Sequence, residues 1–306
     1  MQEYDIVIIG SGPAGLTAAI YARRAGKKCI VIEKDYMSGG QVLTTNEVEN
    51  YPGFFKVSGF DLGQKLREHA EQFGTEFVVD EVLSIENADQ KIKTVHCREA
   101  DYQTGRIILA TGARHKKLGV PGEKELAGMG VSYCATCDGA FFKDRTTAVV
   151  GGGNVALEDA IYLSAICKQV YLIHRREEFR GEKILSSRAE QIDNITFLLN
   201  ETVTRVIGEE EVEQIEITSV KDGSKKLLDV DGVFFAVGIE PNTSLIEGLA
   251  DIGESGYVLA GEDTRTSVPG IYAAGDIREK QLRQIITATA DGANAVQSIL
   301  QDEQDG

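Results

Sequence analysis

Short apolar runs, a glycine-rich turn and a helical pattern follow one another at the start of the chain. Residues 5–9, Asp-Ile-Val-Ile-Ile, predict a buried strand, and the alanine-rich residues 16–25 predict a helix. Between them lies the first glycine turn, Gly10-Ser11-Gly12-Pro13-Ala14-Gly15, and a second apolar run over residues 28–32 closes on Glu33. A strand, a glycine turn, a helix and a strand in this order predict a Rossmann-like unit.

The same pattern returns in the middle of the chain. Residues 147–150 predict a strand, and Gly151-Gly152-Gly153-Asn154-Val155-Ala156 forms the second glycine turn. A helix over about residues 157–165 and a strand over residues 170–173 follow, and this strand ends at His174. The chain therefore contains two copies of one supersecondary unit.

Both copies have the same length. The first glycine lies 23 residues before the end of the second strand in each copy, since 33 − 10 and 174 − 151 are equal. Strand patterns follow at 76–109 and 195–235, and residues 284–300 predict a last helix. We therefore expect the α/β class, with two Rossmann-like, three-layer domains and the second inserted into the first. The expected bounds are 1–115 and 243–306 for the outer domain and 116–242 for the inserted one.

The two copies differ in the residue that ends their second strand. At a glycine turn, free N–H groups and the helix dipole attract the pyrophosphate of a dinucleotide. Glu33 can accept hydrogen bonds from ribose hydroxyls, but its carboxylate would repel a 2′-phosphate. The second copy instead ends in His174-Arg175-Arg176, with Arg180 four residues further on, and arginines bind phosphate through charge-assisted bonds. We expect a dinucleotide without a 2′-phosphate at the first site and NADPH at the second; the competing interpretation of the arginines is a solvated basic face.

Composition and charge limit the classes of partner. The chain has 306 residues, enough for about two domains, and a formal net charge of −16. This charge disfavours nucleic acid and anionic membrane surfaces, which bind basic patches. No apolar run approaches the roughly 20 residues of a membrane span, and the first residues show no signal-peptide pattern. The expected compartment is the cytoplasm.

Five cysteines make one pair and three singles. Cys134-Ala135-Thr136-Cys137 has the spacing of a redox dithiol, whereas Cys29, Cys97 and Cys167 lie in apolar surroundings and are expected to be buried. Asp138 follows the pair and can move a proton to or from a thiolate, or cap a turn. A zinc site needs two further ligands, and only four histidines are scattered through the chain, so we expect no metal.

Two nucleotide sites and a dithiol together indicate electron transfer. NADPH donates a hydride, and reduction of a disulfide consumes the same two electrons. A flavin can accept the hydride and pass the electron pair to sulfur, which favours FAD at the first site. One flavin would have to meet the nucleotide and the dithiol in turn, so we predict a rotation of the inserted domain about the chain crossings near 113–119 and 239–244.

The motifs resemble those of the low-molecular-weight, bacterial-type thioredoxin reductases, flavin-dependent pyridine nucleotide-disulfide oxidoreductases. The combination of Cys-Ala-Thr-Cys-Asp with His-Arg-Arg is the most specific part of this resemblance. It implies NADPH-dependent reduction of the thioredoxin disulfide through FAD, in a homodimer. The matching segments cover the chain in family order: GSGPAG at 10–15, GGQ at 39–41, CATCDG at 134–139, GGGNVA at 151–156, HRREEFR at 174–180 and TSVPGIYAAGD at 266–276.

The resemblance also assigns residues to each role. Cys134, Cys137 and Asp138 are implied to be catalytic, with Cys137 nearer the flavin and Cys134 facing the substrate. The implied FAD residues are the first glycine turn with Glu33, Gly39, Gly40, Gln41, Asn50, Thr111, Gly112, Gly275, Asp276, Arg283, Gln284 and Ile285. The implied NADPH residues are Gly151, Gly153, Asn154, Val155, Ala156, His174, Arg175, Arg176 and Arg180.

Three positions depart from the family pattern. Val155 replaces a small hydroxyl residue, Gly181 replaces an alanine, and Thr289-Ala290 stands where Ala-Gly is common; the first two are expected to weaken or tilt NADPH binding. A ferredoxin-linked flavin thioredoxin reductase is an alternative function; such relatives lack the second glycine turn and the arginines, and because this chain keeps both, NADPH is favoured as the donor. A flavin dithiol oxidase acting on a small molecule and a redox sensor without turnover are two competing functions, and the two intact nucleotide sites count against them.

Overall fold

The structure, a computed structural model, describes residues 2–45 and 48–305. These residues form two units, each with its own hydrophobic core. The chain passes between the units at several points, two of which lie at residues 114–115 and 239–240. The first unit comprises residues 2–44, 51–114 and 240–305, and the second comprises residues 45, 48–50 and 115–239.

The first segment begins with the predicted strand, helix and strand. Pro13 is the first residue of the first helix, where its fixed φ suits the helix and its missing N–H costs nothing. Ser58 caps the second helix, because its hydroxyl accepts a hydrogen bond from Asp61 N at 3.0 Å. The elements are β1 (Gln2–Ile9), α1 (Pro13–Arg24), β2 (Cys29–Glu33), a 3-10 helix (Gly40–Thr44), α2 (Gly59–Gln72), β3 (Glu76–Val79), β4 (Val82–Glu86), β5 (Lys93–Cys97), β6 (Asp101–Leu109) and β7 (Ala113–His115).

The middle segment repeats the strand, helix and strand and adds an antiparallel sheet. Its elements are β8 (Val131–Ser132), α3 (Ala135–Asp138), a 3-10 helix (Gly139–Phe142), β9 (Thr146–Gly151), α4 (Asn154–Ser164), β10 (Gln169–His174), α5 (Lys183–Glu190), β11 (Ile195–Leu199), β12 (Glu201–Ile207), β13 (Gln214–Ser219), β14 (Lys225–Asp229) and β15 (Gly232–Ala236). The last segment contains β16 (Ile239–Pro241), β17 (Ile271–Ala273) and α6 (Ile285–Asp305).

In the first unit, parallel strands bring four predicted site segments to one edge of a sheet. The strand order is β3-β2-β1-β6, and the free side of β6 pairs with β5 and, further along, with β17. Strands β1, β2, β6 and β17 run parallel, so their carboxyl ends lie together. The first glycine turn, Glu33, Thr111 and Asp276 end or follow these strands.

In the second unit, a five-stranded parallel sheet has the order β11-β10-β9-β15-β8. The second glycine turn follows β9, His174 ends β10, and Cys134 comes two residues after β8. The dithiol therefore begins at the same edge of the sheet as the second glycine turn. The separate sheet β12-β13-β14 is antiparallel.

The strands are apolar without alternation because both faces of each parallel sheet are covered. In β1, Ile6 and Ile8 face α1 and α6, whereas Val7 and Ile9 belong to the core on the opposite face. In β9, Val149 packs with α4, and its neighbours pack with the antiparallel sheet. These layers confirm the predicted α/β class with two Rossmann-like domains.

The three single cysteines are buried, as predicted. Burial raises the pKa of Cys29 to about 11 and that of Cys97 to about 12, and it also raises the pKa of Cys167. A thiol with a raised pKa carries little thiolate at neutral pH, so these residues are packing groups. Of the helices described by the structure, none combines the length and the apolar character needed to cross a membrane.

Candidate functional site

In the first glycine turn, two glycine positions are closed, because a side chain would clash there, and one is open, because a side chain would meet no atom. Gly10 has φ +103°, and a Cβ there would lie 2.4 Å from the carbonyl oxygen of Ala110; a Cβ on Gly15 would lie 2.0 Å from the carbonyl oxygen of Gly10. Around Gly12, by contrast, no atom lies within 4 Å of an added Cβ. The outer glycines therefore let strand and helix approach, and Gly12 leaves the N-terminus of α1 accessible to a pyrophosphate.

Glu33 lies against the first glycine turn. Its Oε2 accepts hydrogen bonds from both the backbone N and the hydroxyl of Ser11, each at 2.8 Å. This fixes the carboxylate at the edge where a ribose would follow the pyrophosphate. The structure thus brings Glu33 to the turn, and its bond to a ribose stays a prediction.

The loop after Glu33 returns to the same turn. Gly39 N donates to Ser11 O at 2.8 Å, and a Cβ on Gly40 would lie 3.4 Å from the Cα of Gly12. Gln41 Nε2 donates to Ala113 O at 2.5 Å, which ties the loop to the segment after β6. Asn50, another predicted FAD residue, is exposed and falls in the short segment that belongs to the second unit.

The segment after β6 is fixed by a residue that no sequence motif assigns to the site. Asn242 Nδ2 donates to Thr111 O at 2.8 Å, and Thr111 Oγ1 donates to Asn242 O at 2.8 Å. Asn242 N also donates to Gly112 O at 3.0 Å. These bonds hold Thr111 and Gly112 beside the first glycine turn.

The segment after β17 reaches the start of α1. Gly275 has φ +84°, and a Cβ there would lie 3.0 Å from the Cβ of Ala14. Asp276 follows, and its buried Oδ1 has no hydrogen-bond partner among the described residues, although Lys280 Nζ lies 3.5 Å away. Burial raises the pKa of Asp276, and the charges of Lys280 and Arg283 oppose that rise.

Arg283 offers a buried hydrogen-bond donor, whereas Asp276 offers a buried acceptor. Its guanidinium lies 4.0 Å from the centre of the Tyr257 ring, and its buried Nε has no hydrogen-bond partner among the described residues. Gln284 and Ile285 follow at the start of α6. A buried acceptor on Asp276 and a buried donor on Arg283, both without a hydrogen-bond partner among the described residues, fit a polar ligand such as FAD, whose ribityl hydroxyls and ring edge offer both kinds of partner.

A buried ion network supports Asp276 and was not visible in the sequence. Asp291 on α6 pairs with Arg278 through two bonds, at 2.8 and 2.7 Å, and accepts from Lys280 Nζ at 3.0 Å. It also accepts from Gly275 N at 2.9 Å. Lys280 thus lies between Asp276 and Asp291, and only the fold brings these charges together.

The second glycine turn repeats the geometry of the first. A Cβ on Gly151 would lie 2.4 Å from the carbonyl oxygen of Ala236 and 2.7 Å from the Cβ of Ala156, whereas Gly153 is open. Ala236 ends β15 as Ala110 follows β6, so the two turns meet equivalent neighbours. Val155 is half exposed beside the turn. The N-terminus of α4 is therefore accessible in the same way as that of α1.

His174 takes the place that Glu33 has in the first copy. A Cβ on Gly152 would lie 2.1 Å from its ring, and the ring stacks on Phe179 with centroids 5.3 Å apart. Burial lowers the pKa of His174, a hydrogen bond with the Glu178 backbone opposes this fall, and the charges of Arg180, Arg176 and Arg175 add to it. The imidazole is therefore neutral at pH 7, and its buried Nε2 has no hydrogen-bond partner among the described residues.

The three arginines are exposed around His174. The ion pairs found among the described residues include none of them, in a chain with a net charge of −16. Guanidinium groups without an acidic partner there, beside an open helix N-terminus, fit the phosphate-bearing nucleotide that the sequence predicts, and their bonds to it stay a prediction.

Cys134 and Cys137 are joined in a disulfide at the start of α3. Ser132 at the end of β8 organises this segment: its hydroxyl accepts from Cys134 N at 3.1 Å and donates to Asp138 Oδ2 at 2.6 Å. Burial raises the pKa of Asp138, and the Ser132 bond opposes that rise. The other oxygen, Oδ1, is buried and has no hydrogen-bond partner among the described residues. Asp138 makes no side-chain cap, so its geometry fits proton transfer better than capping.

The profile of the family "Pyridine nucleotide-disulphide oxidoreductase" matches residues 4–292. A thioredoxin reductase of Listeria innocua is 46% identical over 296 residues, which cover 96% of this chain and 92% of the relative. The chain belongs to the pyridine nucleotide-disulphide oxidoreductase family.

Solved structures of relatives agree with this membership. The crystal structure of thioredoxin reductase from Streptococcus pyogenes has a TM-score of 0.94 at 42% identity and covers 99% of both chains. The Lactococcus lactis thioredoxin reductase in its "FR conformation" has a TM-score of 0.69 at 38% identity, covering 99% of this chain and 100% of its own. This pyridine nucleotide-disulphide oxidoreductase is therefore an enzyme, and the predicted family and the predicted cofactors FAD and NADPH are confirmed.

Proposed function

We propose that this protein reduces the disulfide of thioredoxin with electrons from NADPH, through FAD and the Cys134–Cys137 pair. The observation that carries the proposal is the Cys134–Cys137 disulfide with the Asp138 carboxyl held beside it by Ser132. The names of relatives that are up to 46% identical over nearly the whole chain support thioredoxin as the substrate.

Each nucleotide is held by residues already described. The first glycine turn, Glu33, Asp276 and Arg283 would hold FAD, and the second glycine turn with Arg175, Arg176 and Arg180 would hold NADPH. When bound, FAD would supply the two-electron chemistry that links a hydride donor to a disulfide. The arginines select the 2′-phosphate because their guanidinium groups have no acidic partner to displace among the described residues.

The protein's own residues complete the sulfur chemistry. Two electrons and one proton cleave the bond between Cys134 and Cys137, leaving one thiolate and one thiol. The thiolate attacks the disulfide of thioredoxin, a mixed disulfide forms, and the second cysteine releases reduced thioredoxin while the original bond forms again. Asp138, with its raised pKa, can give a proton to the leaving thiolate and take one back. The sum is NADPH, one proton and oxidised thioredoxin to NADP⁺ and reduced thioredoxin.

We further propose that the second unit rotates between the two half-reactions. Relatives support this: the Streptococcus and Lactococcus structures have TM-scores of 0.94 and 0.69 against the same chain, at 42% and 38% identity and nearly full coverage. Those two relatives must therefore differ from each other in overall arrangement by more than their sequences require. A change between two orientations of packed units is a common form of switching.

The resemblance also supports a homodimer in the cytoplasm as the working form. Sedimentation of the purified holoprotein and fractionation of cells would test both statements. If the protein sedimented with the mass of a single chain at micromolar concentration, the homodimer would be contradicted.

One assay tests the main proposal. Purified yellow protein, NADPH and thioredoxin are mixed, and NADPH oxidation is followed against a Cys137→Ser control. We expect consumption that needs thioredoxin and is lost in the control. Consumption without thioredoxin, driven by oxygen and a small dithiol, would instead favour a flavin dithiol oxidase. Parallel runs with NADH and with reduced ferredoxin test the electron donor.

A further inference from the structure

The segment that carries the arginines is tied to the second glycine turn. We call residues 175–182 the arginine loop. Arg180 N and Gly181 N both donate to Gly152 O, at 2.7 and 3.1 Å. Arg176 is fixed separately, since Asn200 N donates to its carbonyl at 3.2 Å. The position of Arg180 relative to the other two arginines therefore depends on contacts at the end of the loop.

A reciprocal pair of bonds between Asn154 and Glu182 adds two contacts at the end of the loop. Asn154 Nδ2 donates to Glu182 Oε1 at 2.9 Å, and Glu182 N donates to Asn154 Oδ1 at 2.8 Å. Asn154 is the first residue of α4, and Glu182 is the residue before α5. We call this pair the Asn154–Glu182 clamp; it joins the starts of two helices through two residues that are 28 positions apart in sequence.

Gly181 fits under the clamp because it has no side chain. A Cβ there would lie 2.5 Å from Leu157 Cδ1 and 3.1 Å from both N and Oδ1 of Asn154. Leu157 is fully buried and cannot turn away into solvent. The glycine at this position is thus matched to the leucine, and the structure gives no reason to regard it as a defect of the nucleotide site.

Electrostatics alone would not place Glu182 here. It is an exposed carboxylate two residues from Arg180, at the edge of a site for an anionic phosphate, where a negative charge repels the ligand. It makes no ion pair with the three arginines among the described residues. Its bonds to Asn154 supply a positional reason instead.

We propose that the Asn154–Glu182 clamp, with the Leu157–Gly181 fit beneath it, positions Arg180 for the 2′-phosphate and so sets the preference for NADPH over NADH. This rests on NADPH as the donor in the proposed function. Glu182 is a positioning residue, because it acts through Asn154 and the loop and not by touching the nucleotide.

The first test compares Glu182→Ala with Glu182→Gln, whose amide oxygen can accept the same bond from Asn154. Binding of adenosine 2′,5′-bisphosphate to the holoprotein is measured by calorimetry, and KM is measured for NADPH and NADH. We expect the alanine variant to bind the bisphosphate about 3- to 10-fold more weakly, the effect of about one hydrogen bond, and to raise KM for NADPH more than KM for NADH. The glutamine variant should restore both values.

Glu177→Ala is the matched control, since Glu177 is an exposed acid of the same loop whose ion pair is with Lys221, at 3.7 Å. It removes the same charge and leaves the clamp in place, so binding should stay equal or become tighter. If Glu182→Ala bound as tightly as the parent or more tightly, or if Glu182→Gln failed to restore binding, Glu182 would be acting only as a charge and the proposal would be overturned.

The second test uses the Leu157–Gly181 fit. Gly181→Ala should weaken bisphosphate binding, because the new methyl displaces the loop from Leu157. Leu157→Val in that background shortens the obstructing side chain and should recover at least part of the loss. Additive effects of the two changes would contradict the fit.

These measurements separate the inference from the proposed function. Bisphosphate binding needs neither thioredoxin nor the dithiol, so a protein that failed to reduce thioredoxin would still report on the clamp. A parent protein that bound adenosine 2′,5′-bisphosphate no better than AMP would overturn the inference itself.

Discussion

At the scale of single residues, the chemistry depends on how a few carboxyl groups are held. Asp138 has an unsatisfied buried oxygen and one bond to Ser132, whereas Glu33 is bonded twice to Ser11. The first arrangement keeps a carboxyl ready to hold a proton, and the second keeps an acceptor fixed at the edge of a nucleotide site. Residue identity alone does not distinguish these two roles.

Changing Ser132 should shift the pH dependence of turnover. Burial raises the pKa of Asp138 and the Ser132 bond opposes that rise, so Ser132→Ala should raise the pKa further. The protonated acid then persists to higher pH, so the alkaline limb of the kcat/KM profile for thioredoxin shifts to higher pH. Asp138→Asn should remove that limb and lower turnover by about 10²- to 10⁴-fold, the usual contribution of a general acid.

Ser132→Thr is the conservative control, because it keeps a hydroxyl and should keep the profile of the parent. Profiles measured from about pH 5 to 10 for the four proteins decide the matter, because this range brackets neutral pH. An alkaline limb that stayed in place in Ser132→Ala would contradict the assignment of that limb to Asp138.

At the scale of elements, each glycine turn combines closed and open positions. Gly10 and Gly151 are closed by the carbonyl oxygens of Ala110 and Ala236, and Gly12 and Gly153 are open. The closed positions let a strand and a helix meet, and the open ones expose backbone N–H groups to a ligand. The same spacing in sequence therefore serves both folding and binding.

Alanine substitutions should separate these two roles in the first turn. Gly10→Ala places a Cβ against Ala110 O at φ +103° and should destabilise the apoprotein by at least about 2 kcal/mol. Gly12→Ala meets no atom and should change the unfolding free energy by less than about 1 kcal/mol. It should nevertheless weaken FAD binding at least about tenfold, because the methyl fills the space that the pyrophosphate needs.

Denaturation of the apoproteins gives the stabilities, and flavin absorbance after gel filtration gives the retained FAD. Gly153→Ala offers a parallel control in the second turn: it should leave FAD bound and weaken binding of adenosine 2′,5′-bisphosphate. Full retention of FAD by Gly12→Ala would show that the ligand does not approach this glycine.

At the scale of the whole molecule, two units with separate cores are joined by passages of the chain, two of which lie at 114–115 and 239–240. These two passages pair with each other, since β7 and β16 form a two-stranded sheet. Arg114 next to one passage makes two bonds to Glu240 next to the other, at 3.0 and 2.9 Å. A short paired connection of this kind can serve as the hinge of the proposed rotation.

Cross-linking the two units should stop turnover if they must rotate. A short lysine-directed reagent is applied, and mass spectrometry selects preparations linked between one lysine of each unit. We expect thioredoxin-dependent turnover to fall about tenfold or more, because the two orientations then cannot alternate. Bisphosphate binding should remain, and preparations linked only within one unit serve as the control. Unchanged turnover in fully linked protein would exclude rotation as a required step.

The sequence by itself determined the two repeated units, the fold class and the difference between the two nucleotide sites. Three physical reasons explain this. A buried parallel strand must be continuously apolar, and a residue packed against a carbonyl oxygen in a turn must be glycine. A carboxylate and an arginine differ in the sign of their charge. Local sequence is therefore enough to predict the roles of Gly10, Gly151, Glu33 and the Cys134–Cys137 pair. In the two repeated units, the bounds of the predicted helices and strands differ from those in the structure by only a few residues.

Only the tertiary structure decided which distant residues support that chemistry. Four of these residues look like any other polar residue in the sequence. They are Ser132, which bonds Asp138; Asn242, which bonds Thr111; Lys280, which lies between two carboxylates; and Glu182, which bonds Asn154. Their roles arise because parallel strands place their carboxyl ends at one edge and helices bring charges from remote positions to it. A hydrogen bond depends on a distance in space, and neither composition nor spacing along the chain specifies that distance.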